Sequence, residues 1–189
     1  AWLGKTVVDS NLAPYKITVH MVMALLIVAF ILYLIFATKT SFKLQKYHSF
    51  FHTLLVIGIV LTLIQIVLGT QVRQFVDEQT KMMGYEKSLW LAQPKLDFYI
   101  HRSTSILVLI INVYLWFINR KLNLGYHKIN LVLGCILLEV FTGIMMYYFD
   151  FPFLSQPLHL VIASILFGIQ MYILLEVLHQ KRTINQVIA

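Results

Sequence analysis

Cysteine is almost absent from this chain. Cys135 is the only one and lies within an apolar run, which excludes an intrachain disulfide, a Cys-pair metal site and a Cys-x-x-Cys-His haem attachment. Any haem here must be held without a covalent bond. Charge is scarce as well: 12% of the 189 residues are charged against 59% hydrophobic, with mean hydropathy +0.78, outside the range of a soluble globular domain. Acidic residues are the rarer sign, 8 against 15 Lys and Arg, for a net charge of +7. In a soluble protein that excess would suggest nucleic acid. Here it is spread over short loops between apolar runs, where it reads as topology, so no nucleic-acid partner is assigned and the partner surface is lipid. A cleavable leader is not evident either, since Ala1-Trp2-Leu3-Gly4 lacks basic, apolar and small-residue regions in order.

The apolar runs themselves define the fold class. Five segments, near Ile17 to Ala37, Phe50 to Thr70, Leu96 to Ile118, Ile129 to Phe149 and Leu158 to Leu178, each reach the roughly 20 residues needed to cross a hydrocarbon core as a helix. The expectation is an all-α, polytopic transmembrane helix bundle of five spans. Connections after the first and third spans are short and basic (Lys39, Lys43, Lys46; Arg120, Lys121, Lys128), and Lys181 and Arg182 follow the fifth. The other side mixes Asp9, Asp77, Glu78, Glu86 and Asp150 with fewer cations per loop. The positive-inside rule therefore puts the C-terminus in the cytoplasm of a plasma membrane or its equivalent, and the Gln71 to Lys95 loop outside.

Three parallel spans then carry a histidine within their first one or two turns: His20, His101 and His159. All three fall in the outer half of the membrane, where an imidazole is costly without a partner. His48, His52, His127 and His179 lie at the opposite ends, beside the lysines, and read as interfacial. Gly4 precedes His20 by the same 16 residues that separate Gly143 from His159, and Val22 and Ala24 match Val161 and Ala163. These segments read as copies of a four-helix unit used twice, so that residues 49–189 form one complete unit and residues 1–48 the end of a preceding one, including one helix. By that logic three further spans would precede His20.

Polar residues within the spans follow the repeat. Gln65 stands four residues before Gly69 and Glu139 four before Gly143, one turn apart on one face. Glu139 reads either as a protonated helix-to-helix hydrogen bonder or as part of a proton relay; Gln65 and Gln170 read as the former. A haem with two axial histidines needs facing ligands at one depth, apolar walls and cations near the propionates. His101 and His159 meet the depth condition, Ile100, Ile106, Leu107, Leu160 and Ala163 are candidate walls, and Arg73 and Arg102 are candidate propionate partners. The readings left open are two structural histidines, or a zinc-type site completed by His20.

Ile66-Val67-Leu68-Gly69-Thr70-Gln71-Val72-Arg73, Tyr99-Ile100-His101-Arg102, Thr142-Gly143-Ile144-Met145 and Leu158-His159, in that order, together resemble the haem A synthase family. The opening segment from Leu3-Gly4 through Val7-Val8-Asp9-Ser10 to His20 resembles the family's third-to-fourth span region. The resemblance implies two pseudo-symmetric four-helix halves and an enzyme that oxidises the methyl group of haem O to the formyl group of haem A for terminal oxidases. It implies haem b held by His101 and His159 in residues 49–189, a substrate-side half to which residues 1–48 belong, and His20 as one member of a second haem pair. Haem O, haem A, haem O synthase and terminal oxidase assembly factors are the implied partners. The family's Glu-x-x-His-Arg motif is not in the chain: Phe98 stands where the carboxylate would precede His101. The Gln71 to Lys95 loop also lacks the cysteine pair of some members. The rival from another class is a non-catalytic b-type cytochrome or haem-carrying electron-transfer protein, and a further one is a haemless structural or transport protein.

Overall fold

A computed structural model describes residues 2–9, 14–43 and 45–188, with the side chains of Leu3, Pro14, Val187 and Ile188 left out of account. Ser10, part of the opening segment quoted above, lies outside the described residues. The described chain is helical throughout: α1 (Trp2–Asp9), α2 (Pro14–Ala37), α3 (Ser49–Met83), α4 (Leu96–Lys121), α5 (Ile129–Tyr148) and α6 (Ser155–Ile188), with one short 3-10 turn at Lys87–Leu89. Helices α2 to α6 are each long and apolar enough to cross a membrane. The five expected spans are therefore present, and the chain is a multi-pass membrane protein by length and composition.

Two boundaries differ from the expectation. The second span was expected to stop at Thr70, yet α3 continues to Met83, where Gly84 (φ +66°) ends it by returning its N–H to the Thr80 carbonyl. The extension is stable because it buries Phe75 and Val76, the latter in a small second core with Trp90 and Phe151. Half of the expected outer loop is thus helix. Likewise α6 runs past Leu178 to Ile188, into a polar stretch that hydropathy alone does not count as membrane.

Helices α3 to α6 close a ring in which α3 packs on α4, α4 on α5, α5 on α6 and α6 on α3, while α2 lies against α6. Because α4 and α6 occupy opposite corners, they approach only through side chains. The approach is made by Gln170, whose Nε2 donates to Asn112 Oδ1 at 3.1 Å; both residues are fully buried. A buried amide pair in an apolar bundle is stable only if each partner answers the other. That requirement fixes α4 and α6 in register.

The basic end of the bundle is clasped by polar groups. His48 caps α3, its Nδ1 accepting from Phe51 N–H at 3.4 Å, and His179 stacks on Phe42 with ring centroids 3.8 Å apart. Both act there as structural residues. Lys128 Nζ meets Glu176 Oε1 at 2.6 Å, Gln45 donates to the other Glu176 oxygen, and Asn119 closes the α4–α5 turn on the backbone of Tyr126. The Tyr126 hydroxyl donates to the Lys46 carbonyl. Burial above all, with the Glu176 charge adding to it, pushes that phenol above the usual tyrosine range, so it stays a donor.

The α5–α6 turn sits at the other end and is tight. Asp150, Phe151 and Leu154 all have positive φ (53°, 53° and 65°), a region that L-residues enter at a cost. Lys87 Nζ holds the Phe151 carbonyl at 2.9 Å and the Phe151 ring packs on Trp90. These contacts set where α6 begins. Replacing Gln170 with leucine should destabilise the protein in detergent by about 1 kcal/mol, because it leaves Asn112 Oδ1 unanswered. The double variant with Asn112→Leu should cost less than the two single changes together; additive losses in thermal unfolding would mean that the bond is not what joins α4 to α6.

Candidate functional site

The Asn112–Gln170 bond carries information about residues far from it. Asn112 follows His101, and Gln170 follows His159, by the same eleven residues, which is three helical turns. Residues three turns apart share a face, and α4 and α6 run the same way. Two helices that meet at Asn112 and Gln170 therefore present His101 and His159 to each other about 16 Å further along the axis.

Both rings rest on glycine. A Cβ placed on Gly69 would stand 3.2 Å from His101 Cε1, and one on Gly143 would stand 4.0 Å from His159 Cε1. Helices α3 and α5 thus lack a side chain where the imidazoles of α4 and α6 lie against them. The third histidine repeats the arrangement, with a Cβ on Gly4 of α1 falling 3.6 Å from His20 Cε1. The copies seen in the sequence are therefore copies in packing. His20 itself is exposed on α2.

The hydrogen bonds at the two rings differ. His159 Nδ1 lies 2.8 Å from Thr142 Oγ1 and 3.1 Å from Glu139 Oε2. The Thr142 hydroxyl reaches the Leu138 and Glu139 carbonyls at 2.9 and 3.0 Å, so its one proton is engaged there and its oxygen accepts from the ring. With the ring proton on Nδ1, Nε2, which makes no hydrogen bond among the described residues, is left as a bare lone pair. At His101, Gln65 Nε2 donates to the backbone carbonyl at 3.0 Å and lies 3.4 Å from the ring Nε2. His101 Nδ1 is buried without a partner, as are Gln65 Oε1 and Glu139 Oε1. A pair of half-buried imidazoles with spare nitrogens, each seated on a glycine, fits a group that is bound from the side by ring nitrogen.

Other sequence candidates are placed as follows. Arg73 lies on the extended part of α3, one turn beyond Gly69 on the same face, with Nε 3.8 Å from Asp77; Arg102 is exposed beside His101. Among the expected walls, Ile100, Ile106 and Leu107 are exposed, because each is turned by 100° or more from His101 around α4. Leu160 lines a groove of about 650 Å³ between α2, α5 and α6, on another face of α6. The face of His101 is continued by Val108 and Leu115, and that of His159 by Ala163 and Leu166. Glu139 meets a histidine rather than a distant helix. Gln170 is the interhelical hydrogen bonder expected of it, whereas Gln65 bonds to the histidine-bearing helix at the histidine itself. No group of three or more His, Cys, Asp or Glu that could hold a metal ion forms among the described residues.

Sequence reasoning passed over two residues. Thr142 stands three after Glu139 and Asn112 eleven after His101, and helical spacing from the histidine and its acid was the signal available for both. Phe98, one turn before His101, stacks on Tyr147 with centroids 5.2 Å apart, which makes that position part of an aromatic contact between α4 and α5.

A family model described as "Cytochrome oxidase assembly protein" matches residues 1–171. No curated protein and no solved structure matches the chain. The glycine contacts give a graded outcome. Gly69→Ala should destabilise the protein by about 1 kcal/mol or more, the overpacking at 3.2 Å outweighing the helix propensity that alanine adds. Gly143→Ala, with ordinary contact distance, should be neutral or stabilising. Equal thermal shifts in the two variants would show that the His101 ring is not held against α3.

Proposed function

The chain belongs to the cytochrome oxidase assembly family, that of the haem A synthases, and from this membership together with the facing histidines we propose that it is the haem b-holding portion of a haem A synthase. The observation that carries the reading is the pair itself: His101 and His159 on parallel helices in register, one with its Nδ1–H engaged and its Nε2 free. The reaction takes the methyl carbon of haem O to the aldehyde level in haem A. When water supplies the oxygen, that is a loss of four electrons.

Haem b, when bound, supplies one-electron transfer beside the substrate half. His101 and His159 hold it by their ring nitrogens. Gly69 and Gly143 leave room for the imidazoles to lie close to α3 and α5, and Val108, Ala163 and Leu166 keep water from the space between them. Arg73 and Arg102 answer the propionates, guanidinium recognising carboxylate by two parallel bonds. Residues 49–189 are then the haem b half and residues 1–48 the end of a substrate-side half, where His20 takes part in a second haem site. The threefold recurrence of glycine against histidine supports that division. The orientation follows from the lysines: C-terminus in the cytoplasm and the histidines toward the outer face. Haem O and haem A are the small-molecule partners, with haem O synthase and oxidase assembly factors as protein partners.

The rival, a simple b-type cytochrome, would use the same two histidines for electron transfer alone. Phe98 stands where a carboxylate would precede His101 and is committed to Tyr147, so this half carries no acid at that point under either reading. Conversion of haem O separates the two readings.

The purified protein supplied with haem should give the sharp reduced-minus-oxidised bands of a six-coordinate low-spin haem b. His101→Ala and His159→Ala should each abolish haem retention, while His127→Ala keeps it, and His48→Ala keeps it at a stability cost of about 1 kcal/mol for the lost cap. Equal haem content in all four variants would sink the assignment.

A further inference from the structure

Helices α3 and α5 are equivalent in the repeat, yet they do not treat their histidines alike. At the position one turn before the glycine, α3 carries Gln65 and α5 carries Glu139; at the position just before it, α3 carries Leu68 and α5 carries Thr142. Consequently His159 Nδ1 has a carboxylate oxygen at 3.1 Å and a hydroxyl oxygen at 2.8 Å, whereas His101 Nδ1 is buried with no acceptor at all. A carboxylate within a membrane span is expensive and is kept where it does something. Nothing else among the described side chains takes up Glu139: Oε2 goes to the histidine, and Oε1 has no partner.

We propose that Glu139 and Thr142 are positioning residues for His159, holding the ring in its Nδ1–H tautomer so that Nε2 faces α4 and making His159 the stronger electron donor of the two axial ligands. The proposal rests on the reading of His101 and His159 as haem ligands. Its physical basis is general. An imidazole that donates its second N–H to a carboxylate is a better donor through the other nitrogen, and the partner also fixes ring orientation. Thr142 contributes by geometry: its own proton is spent on backbone carbonyls one turn back, so it can only accept, and it forbids the opposite tautomer. The same device is absent on α3, where Gln65 offers an amide nitrogen to the ring and Leu68 offers nothing. The haem would therefore sit between one ligand whose second ring nitrogen is held by oxygen atoms of α5 and one whose second nitrogen is not held.

Two readouts test this, one with haem and one without. With haem bound, Glu139→Gln keeps a hydrogen-bond acceptor but removes the negative oxygen. It should raise the haem midpoint potential at fixed pH by about 59 mV, a tenfold change in a one-electron equilibrium, while haem content stays that of the unmodified protein. Gln65→Glu, which gives α3 the same carboxylate, should move the potential the opposite way. Without haem, nitrogen-15 NMR of the histidine-labelled protein should show His159 protonated at Nδ1. Glu139→Leu combined with Thr142→Val should lose that preference, and Glu139→Asp should keep it. An unchanged potential in Glu139→Gln with haem retained, or an Nε2–H tautomer at His159 in the unmodified protein, overturns the proposal. A protein that shows the Nδ1–H tautomer but takes up no haem instead overturns the ligand reading on which the proposal rests.

Discussion

One buried bond between two amide side chains determines where everything else in the bundle points. Gln170 and Asn112 are each fully buried on helices that otherwise stand at opposite corners, and the bond between them answers the Asn112 side-chain oxygen and the Gln170 amide nitrogen. Because both helices are continuous from these residues to His159 and His101, the bond transmits its register upward through rigid backbone. Three turns restores the same face. The histidines are thus opposed by a constraint that lies about 16 Å away from them, and their helices need not touch at the histidine level at all.

What keeps that level open is the absence of side chains as much as their presence. Gly69 and Gly143 let each imidazole lie against the backbone of its sequence-adjacent helix, so the rings are stabilised from behind rather than by each other. The α5–α6 turn reinforces this from above. Three non-glycine residues in left-handed conformation fix the first turn of α6, and the buried Phe151 ring with the Lys87 contact offsets the strain. A longer, relaxed loop would leave His159 free to slide along its helix axis.

Much of this was legible in the sequence for a simple reason: hydrocarbon is an unforgiving solvent, so five uninterrupted apolar runs admit only helices. The 16-residue spacing from Gly4 to His20 and from Gly143 to His159 recurs as a contact in each case, whereas the contact of Gly69 with His101 spans 32 residues and was not signalled by it. The failures have equally definite causes. Hydropathy counts what lipid covers, and the far end of α3 is covered by protein instead, through Val76, Trp90 and Phe151; a window average has no means to see that. Wall residues were chosen for being near the histidines along the chain, which suits Ala163, whereas helical rotation turns Ile100, Ile106 and Leu107 outward and brings Val108 and Leu166 round. Thr142 was read as part of a motif string, and its role appears only when its spacing to Glu139 and its distance to the ring are taken together.

The two helix pairs α3–α4 and α5–α6 are built alike around a glycine and a histidine, and strictly identical surroundings would give a symmetric group no preferred side. On the proposal made above, the difference between Gln65 and Glu139 and between Leu68 and Thr142 at matched positions gives the two ring nitrogens different electron density although the backbone frame is unchanged. Charge placed behind a ligand acts through a single hydrogen bond and needs no movement of any helix. A frame locked by Asn112 and Gln170 can therefore hold still while the properties of what it binds are adjusted by substitutions on α3 and α5 alone. With the acid on α5 and the histidine on α6, the same contact also joins the two helices at that level, which an acid on α6 itself would not do.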